Sequence, residues 1–566
     1  MRHSFLALVC LLSIFLSGCL QPLPSQTNRE SFREFTDSLF RQWVVSDSLT
    51  LNYTLKNPDQ YNITHLPKGF FSSGKTTISN SCESENLLQR IETYHRDSLS
   101  RQEQILYDTL KDYMTQNKKE LSFEEFSNVL DPTSGIQAQL PVLLAEFHWD
   151  SKEDVSQYFL LLESIPSYFE ELLQIQKNKK QAGTLPSRKT LLTVMDQCED
   201  FVSEKGYQMI QTCFQKKISS LFPNDTTKLI KRHNEYLTQY VVPAYQNLAT
   251  GLTPLLPDAP KDGSLSVYPN GCDYYSFLFQ KKSGSSKPIS YWKTVLSQRL
   301  KQSETELLRC ASKDPAPFRT CQDYEKHFSS PDDILKTLQS KIKKDFPTSS
   351  NTTYQLHTVD DALEDYLSPA FYLTPPIDDK THNAIYINES PKYRHSSLFN
   401  TLAHEGYPGH LYQNCYLREK KLPLLRYLME YPGYTEGYAT YAEIYSYRYT
   451  GGSPNEIAIL QNNAIATHCI YALCDIGIHR EHWSLSRLSS FLGQHGYGGE
   501  ENATRIYQAI IDSPGCYLPY TIGYLQFERL RKQFPSDLAY HTFILNMGPT
   551  SFDLLKKYAA SARITS

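Results

Sequence analysis

Asn400-Thr401-Leu402-Ala403-His404-Glu405-Gly406-Tyr407-Pro408-Gly409-His410 is the stretch around which the chain is organised. Leu398, Phe399, Leu402 and Ala403 fall at i, i+1, i+4 and i+5, the apolar stripe of a buried helix. The polar residues on that helix read as a zinc site with its own general base, since neutral imidazole is the commonest zinc ligand. In the usual arrangement two His stand at i and i+4 on one helix face, with a Glu beside the first. Here the spacing is i and i+6. At about 100° per residue, a regular helix sets those two imidazoles about 240° apart, too far round to share an ion. Pro408 has no N–H to bond back to the His404 carbonyl, and its ring clashes there. Gly406 and Gly409 allow backbone conformations closed to other residues. The expectation is a helix with a two-residue bulge, a feature that clusters at functional sites, which returns His410 to the His404 side. The alternative is a helix that ends at Tyr407, with His410 in a loop.

A catalytic zinc site takes three protein ligands and leaves the fourth position for water. Tyr434-Thr435-Glu436-Gly437-Tyr438-Ala439-Thr440-Tyr441-Ala442-Glu443 offers the third. Glu436 and Glu443 lie two helical turns apart and share a face. The uncharged residues between them imply burial, and buried carboxylates need a partner: a metal, or an Arg or Tyr. Glu436 is taken as the ligand and Glu443 as the group that orients a ligand His. The reverse assignment stays open.

His-Glu-Gly-Tyr-Pro-Gly-His followed by Glu-Gly-aromatic-Ala resembles the bacterial domain of unknown function 885 family, whose members are similar to zinc peptidases of the gluzincin type. The resemblance extends over roughly residues 30 to 566. It takes in Asp475-Ile476-Gly477-Ile478-His479 with Trp483, Tyr520-Thr521-Ile522-Gly523 with Leu525, Tyr386-Ile387-Asn388, and Gly271 with Tyr274-Tyr275. It implies two His and one Glu as ligands of one zinc ion. The chain departs from the family pattern at Pro514-Gly515-Cys516, where Pro-x-Gln is usual. It departs again at Thr521, where Lys is common, and at Leu411, where a third His often follows. These positions bear on substrate contacts and leave the metal ligands in place.

The N-terminus reads as a targeting segment. Arg2 and His3 are followed by an apolar stretch, Phe5 to Leu16, too short to span a bilayer permanently. Leu16-Ser17-Gly18-Cys19 resembles a lipobox, which implies a signal peptide over 1–18, cleavage before Cys19 and lipidation of Cys19. Several acyl chains anchor stably where one does not. Residues 19–33 then form a polar tether. This places the protein on a bacterial cell membrane, facing outside the cytoplasm.

The body, 34–566, fits one large helical domain or two lobes, with a lobe boundary near 253–290, a Pro-, Gly-, Asp- and Ser-rich stretch read as loop, inside which the resemblance implies a short helix starting at Asp273-Tyr274-Tyr275. Lys plus Arg number 57 against 61 Asp plus Glu, a net charge of −4, so no basic field calls for nucleic acid. No later stretch has the unbroken apolar length of a transmembrane helix. Of twelve cysteines, ten remain once Cys10 and Cys19 are set aside. In an oxidising compartment some of these are expected to pair, Cys198 with Cys213 and Cys310 with Cys321 having the closest spacing. Cys415, Cys469 and Cys474 read equally well as buried thiols.

Helices are expected over Asn86–Leu110, Val155–Lys177, Arg188–Lys205 and Lys228–Thr250, punctuated by prolines that include Pro166 and Pro243. Phe371–Leu373 and Ala384–Asn388 read as short strands, and the second offers an edge to which an extended peptide could add. Downstream, Ile457 to Trp483 is a long helix on which Asp475 stands four residues before His479 and can orient its imidazole. The resemblance raises His479 to an active-site contact. Tyr520 is placed to donate to an oxyanion.

The expected fold class is mostly α: a large helical metallopeptidase-like domain, two lobes around a cleft, and a small β-sheet next to the zinc helix. The expected function is that of a membrane-anchored zinc peptidase. His404, His410 and Glu436 hold one zinc ion, Glu405 is the general base, and Tyr520 or His479 stabilises the oxyanion. A peptide- or solute-binding lipoprotein on the same scaffold, or a zinc hydrolase of a non-peptide amide, are the other readings.

Overall fold

The computed structural model describes residues 30–70, 77–315, 328–350, 352–359, 364, 367–379, 382–393 and 398–564. The signal peptide 1–18, the lipidation site Cys19 and most of the tether 19–33 lie outside these residues, as do Cys321 and the side chain of Cys82.

The chain is mostly helical, with one small sheet. Several of its helices start where short polar side chains cap them. Ser31 with Glu34, Ser100 with Glu103, Ser151 with Asp154 and Ser453 with Glu456 each form a reciprocal capping box. One such box breaks the helix expected over Asn86–Leu110. The chain ends one helix at Glu92 and begins another at Arg101, because Ser100 satisfies the free N–H of Glu103. Ser203 likewise divides the expected Arg188–Lys205 helix into Arg188–Val202 and Glu204–Leu221.

Proline had the opposite outcome. Pro166 sits inside Lys152–Ala182 without ending it. Before Pro243 the helix widens into a π-turn over Leu237–Val241 and runs on as Val242–Leu252. Pro243 lacks the N–H that a regular α-helical ladder would use, and the wider turn accommodates that loss. Within the stretch 253–290, read as loop, the short helix that the resemblance implies at Asp273-Tyr274-Tyr275 is present and spans Gly271–Ser283.

Buried apolar side chains form two clusters. One is built on Lys152–Ala182 and the helices up to Leu255, joined by Leu49, Val359, Leu367 and Phe371; the other takes in the N-terminal helices from Phe32 to Met114, then Leu265 onward, and includes Leu402, Tyr407 and Tyr438. Pro454–Glu481 is long and apolar enough to cross a membrane, but 56% of its most apolar window is buried inside the protein, as in a core helix. Cys198 and Cys310 are free thiols, so the expected bridge from Cys198 to Cys213 is not made; both residues are buried in the apolar faces of neighbouring helices. Cys415, Cys469 and Cys474 are buried thiols.

Three strands form the sheet: β1 (Gln355–Thr358), β2 (Ala370–Leu373) and β3 (Ala384–Ile387), in the order β1–β3–β2. β1 runs parallel to β3, with Gln355 opposite Ala384, and β2 antiparallel, with Phe371 opposite Tyr386. The strand just before the helix that carries His404 is therefore the middle one. Its expected free edge is occupied on both sides, and β2 is the edge strand that meets the site.

Candidate metal centre

The first ligand helix is Leu398–Glu405, and it stops there. The amide of Gly406 makes the last regular bond, to Leu402 O at 2.8 Å. A second helix, His410–Lys420, begins at His410 itself. The expected bulge is thus a complete break, with Gly406-Tyr407-Pro408-Gly409 as a turn between two helices; neither the bulged helix nor the loop placement of His410 holds. A Cβ on Gly409 would lie 1.7 Å from the His404 carbonyl oxygen, so only glycine lets the chain fold back over the end of the first helix. Tyr438 Oη donates to Pro408 O at 2.9 Å and the Tyr412 amide to Gly406 O at 3.2 Å, pinning the turn. The result brings the rings of His404 and His410 to 4.9 Å between centroids, at 82°.

Glu436 comes from a third helix, Pro432–Ser446. Its Oε2 lies 3.6 Å from Nε2 of His404 and 3.6 Å from Nε2 of His410. These are too long for hydrogen bonds. They approach the roughly 3.4 Å that separates two ligand atoms held tetrahedrally at about 2.0–2.1 Å from one zinc ion. All three atoms are buried and make no hydrogen bond. One atom from each residue lies within 4.8 Å of the others. Buried donors left without partners are costly, and a shared cation is what resolves the cost for two imidazoles and a carboxylate. The donor set, two imidazoles and a carboxylate, is one that fits zinc.

The field inside the site favours positive charge. Burial opposes a proton on His404, but Glu436 and Glu443 override it and lift the imidazole well above its ordinary range. Burial alone would raise Glu436; His410 and His404 instead hold it far below the usual carboxylate range.

Around the donors stands a supporting layer. Nδ1 of His404 lies 3.3 Å from Glu443 Oε2, and Asn400 Nδ2 donates to Glu443 Oε1 at 3.0 Å. Glu443 thus fixes the ring that Glu436 approaches from the other side. Asn400 escaped the sequence reading, although it lies four residues before His404 and so on the same helix face. Glu405 is buried, and its Oε2 accepts the backbone N–H of Tyr372 in β2 at 3.1 Å. Burial raises its proton affinity, only partly offset by His410 and His404.

Tyr520 stacks near His404, with ring centroids 6.1 Å apart and planes at 24°. Burial first, then Glu436 and Glu405, keeps its phenol protonated far above neutral pH, so it remains a donor. It arrives on Leu518–Arg531, which packs tightly on the Glu436 helix through glycine. A Cβ on Gly437 would lie 2.5 Å from Gly523 Cα, and one on Gly523 would lie 2.2 Å from Gly433 O. The glycines after Glu436 and Tyr520 are what let the two helices approach.

His479 belongs elsewhere. It is fully buried, its Nδ1 accepts the Leu265 amide at 3.0 Å, and its Nε2 lies 2.9 Å from Ile510 O, which it serves as donor. Both nitrogens are committed to backbone, and burial pulls the imidazole down to about 4. Asp475 does not orient it. That carboxylate accepts Tyr275 Oη at 2.5 Å and the Gly515 amide at 2.9 Å, and burial pushes it up to about 7. The two residues tie distant segments together through these bonds.

The supporting layer gives a graded expectation. Glu436→Gln weakens zinc binding more than Glu443→Gln, since changes to groups that only orient a ligand typically cost about 10–100-fold in affinity. A competition titration with a zinc chelator that returned the opposite order would exchange the two roles.

A model of the family described as bacterial protein of unknown function (DUF885) matches residues 79–558. No curated protein matches the sequence. Among solved structures, one from Colwellia psychrerythraea superposes with a TM-score of 0.80 at 18% identity, over 95% of this chain and 100% of its own. Another, from Shewanella oneidensis, gives 0.61 at 14% identity, over 94% and 99%. Both are described as a "putative lipoprotein", the second of unknown function. At these identities the likeness is one of fold.

Proposed function

The chain belongs to the DUF885 family, and from that premise and the geometry of the centre we propose that it is a membrane-anchored zinc-dependent peptidase working outside the cytoplasm. One observation carries the reading: three buried donors without hydrogen bonds converge, and Glu405, a buried carboxylate on the same helix as His404, is not one of them. A purely structural zinc site is closed by four protein ligands and has no use for such a base.

His404, His410 and Glu436 would hold the metal. A bound zinc ion supplies Lewis-acid polarisation to water and to the substrate carbonyl. Glu405 accepts a proton at its carboxylate as water attacks the carbonyl carbon, and it delivers that proton to the departing amine nitrogen as the C–N bond breaks. Tyr520 donates its phenolic hydrogen to the oxygen on which negative charge develops. An extended peptide suits the place, because β2 is an edge strand and its Tyr372 N–H, held by Glu405, brings that edge beside the general base.

The anchor rests on Leu16-Ser17-Gly18-Cys19 and agrees with the description of both structural neighbours. The rival reading is a binding lipoprotein with a structural metal or none. Metal analysis of the purified chain beside mass spectrometry of a mixed peptide library separates the two. The expected result is one zinc per chain and cleavage at internal or terminal peptide bonds. Saturable peptide binding with no cleavage across the library would remove the peptidase assignment.

A further inference from the structure

None of the residues at a second concavity takes part in the metal centre. A pocket of about 170 Å³ is lined by Lys287, Tyr291, Trp292, Gln526, Arg529 and Lys556, among others. A water molecule takes about 30 Å³ in the liquid, so the pocket has room for more than a bare ion and too little for a folded partner.

Its walls are built. Trp292 is buried and donates Nε1–H to Ser285 Oγ at 3.1 Å. The Arg529 guanidinium sits 5.4 Å from the Trp292 ring and 5.8 Å from that of Tyr291, and Nη1 donates to the Tyr291 hydroxyl at 2.7 Å. Lys287 Nζ lies 6.0 Å from the same Tyr291 ring. Gln526 is buried; its Nε2 donates to Ser283 O at 3.0 Å, which turns its Oε1 to Lys556 Nζ at 3.3 Å. Tyr291 and Trp292 belong to the first turn of Ile289–Lys313, a helix whose start carries no side-chain cap. The Tyr291 and Trp292 amides both donate to Pro288 O, at 3.1 and 3.3 Å, and the helix start adds a partial positive charge.

Three cationic residues, Lys287, Arg529 and Lys556, thus line the hole. The acid found beside them is Asp553, 3.9 Å from Lys556, and it already accepts the Ser286 amide at 3.2 Å. Burial, and after it Lys287 and Arg529, pull the Lys556 ammonium below its ordinary range against the opposing pull of Asp553. Cations repelling across a cavity are relieved by an anion between them.

We propose that this pocket binds a phosphate monoester. Such a group carries about −1.5 to −2 charge at neutral pH and three strong acceptor oxygens. That matches an excess of two positive charges and offers one oxygen to each cationic head. A carboxylate would leave one of the heads unanswered. The Trp292 and Leu530 side of the pocket takes the organic part of the ester. A small soluble ester and a phosphatidic-acid headgroup share this chemistry.

The test titrates the purified full chain with glycerol 3-phosphate by calorimetry. A parallel arm co-sediments the chain with phosphatidylcholine vesicles with and without phosphatidic acid. The expected result is saturable binding in at least one arm, weakened about tenfold or more by Lys287→Ala and by Lys556→Ala, the loss of a hydrogen bond to a charged group. Lys557→Ala, which removes a partner of Asp108 instead, leaves it unchanged. Both lysines are solvent-exposed, so their variants fold, and equal melting curves check this. Binding in the calorimetric arm identifies a soluble ester; binding confined to the phosphatidic-acid vesicles identifies a headgroup. No binding in either arm, or binding that Lys287→Ala and Lys556→Ala leave intact, overturns the proposal.

Discussion

Glu405→Gln keeps its metal and its fold and loses turnover by about 10²–10⁴, the usual worth of a general base. The separation is expected because Glu405 is not among the three converging donors. The amide preserves the shape of the side chain, and its carbonyl oxygen still accepts the Tyr372 N–H that the carboxylate accepts at 3.1 Å. It also removes a charge that burial disfavours, so nothing in the substitution strains the core. What the amide lacks is an oxygen basic enough to take a proton from attacking water. The measurement follows peptide cleavage by mass spectrometry in zinc-quantified samples of both proteins, with peptide binding assayed alongside. A binding lipoprotein predicts no difference between the two. Equal cleavage rates at equal zinc content would take Glu405 out of the mechanism.

How much of this centre could be read beforehand follows from how local each contact is. His404, Glu405, Glu436 and Glu443 were legible because helix periodicity alone sets which side chains share a face, and Glu436 and Glu443 sit two turns apart on one helix. His410 was legible as a donor, but the chain path to it was not. Gly409 packs directly on the His404 carbonyl, a contact that ends one helix and starts another, where periodicity suggested a distortion within one. The Tyr372 amide was invisible for a different reason: a backbone N–H has no residue type to betray it. β1 hid the strand order. Its residues are mostly exposed and show no clear alternation, and parallel pairing with β3 leaves no turn signal in the sequence. His479 shows a local rule misapplied. Asp475 does stand four residues ahead of it, yet both side chains find partners more than thirty residues away. Spacing within a helix says which groups can meet, and tertiary packing decides which do.

That contrast sharpens the remaining expectation. His404→Ala and His410→Ala each lose stoichiometric zinc, because each removes one of the three donors that converge among the described residues, and binding at such a site sums over the ligands. His410 is the cleaner position. It opens the helix His410–Lys420, where alanine is well tolerated, and its Nε2 makes no hydrogen bond whose loss would confuse the outcome. His404 also faces Glu443, so its removal leaves a buried carboxylate with one partner fewer and costs some stability as well. His479→Ala serves as the opposite case. It keeps its zinc but leaves the Leu265 amide and the Ile510 carbonyl buried without partners, at about 1–3 kcal/mol each, so its unfolding midpoint falls. Zinc per chain, read by mass spectrometry of the metal, and thermal melting of the three variants check both halves together. One equivalent of zinc retained by both His404→Ala and His410→Ala would remove the centre. Zinc lost from a folded His479→Ala would return that residue to the site, against both of its backbone contacts.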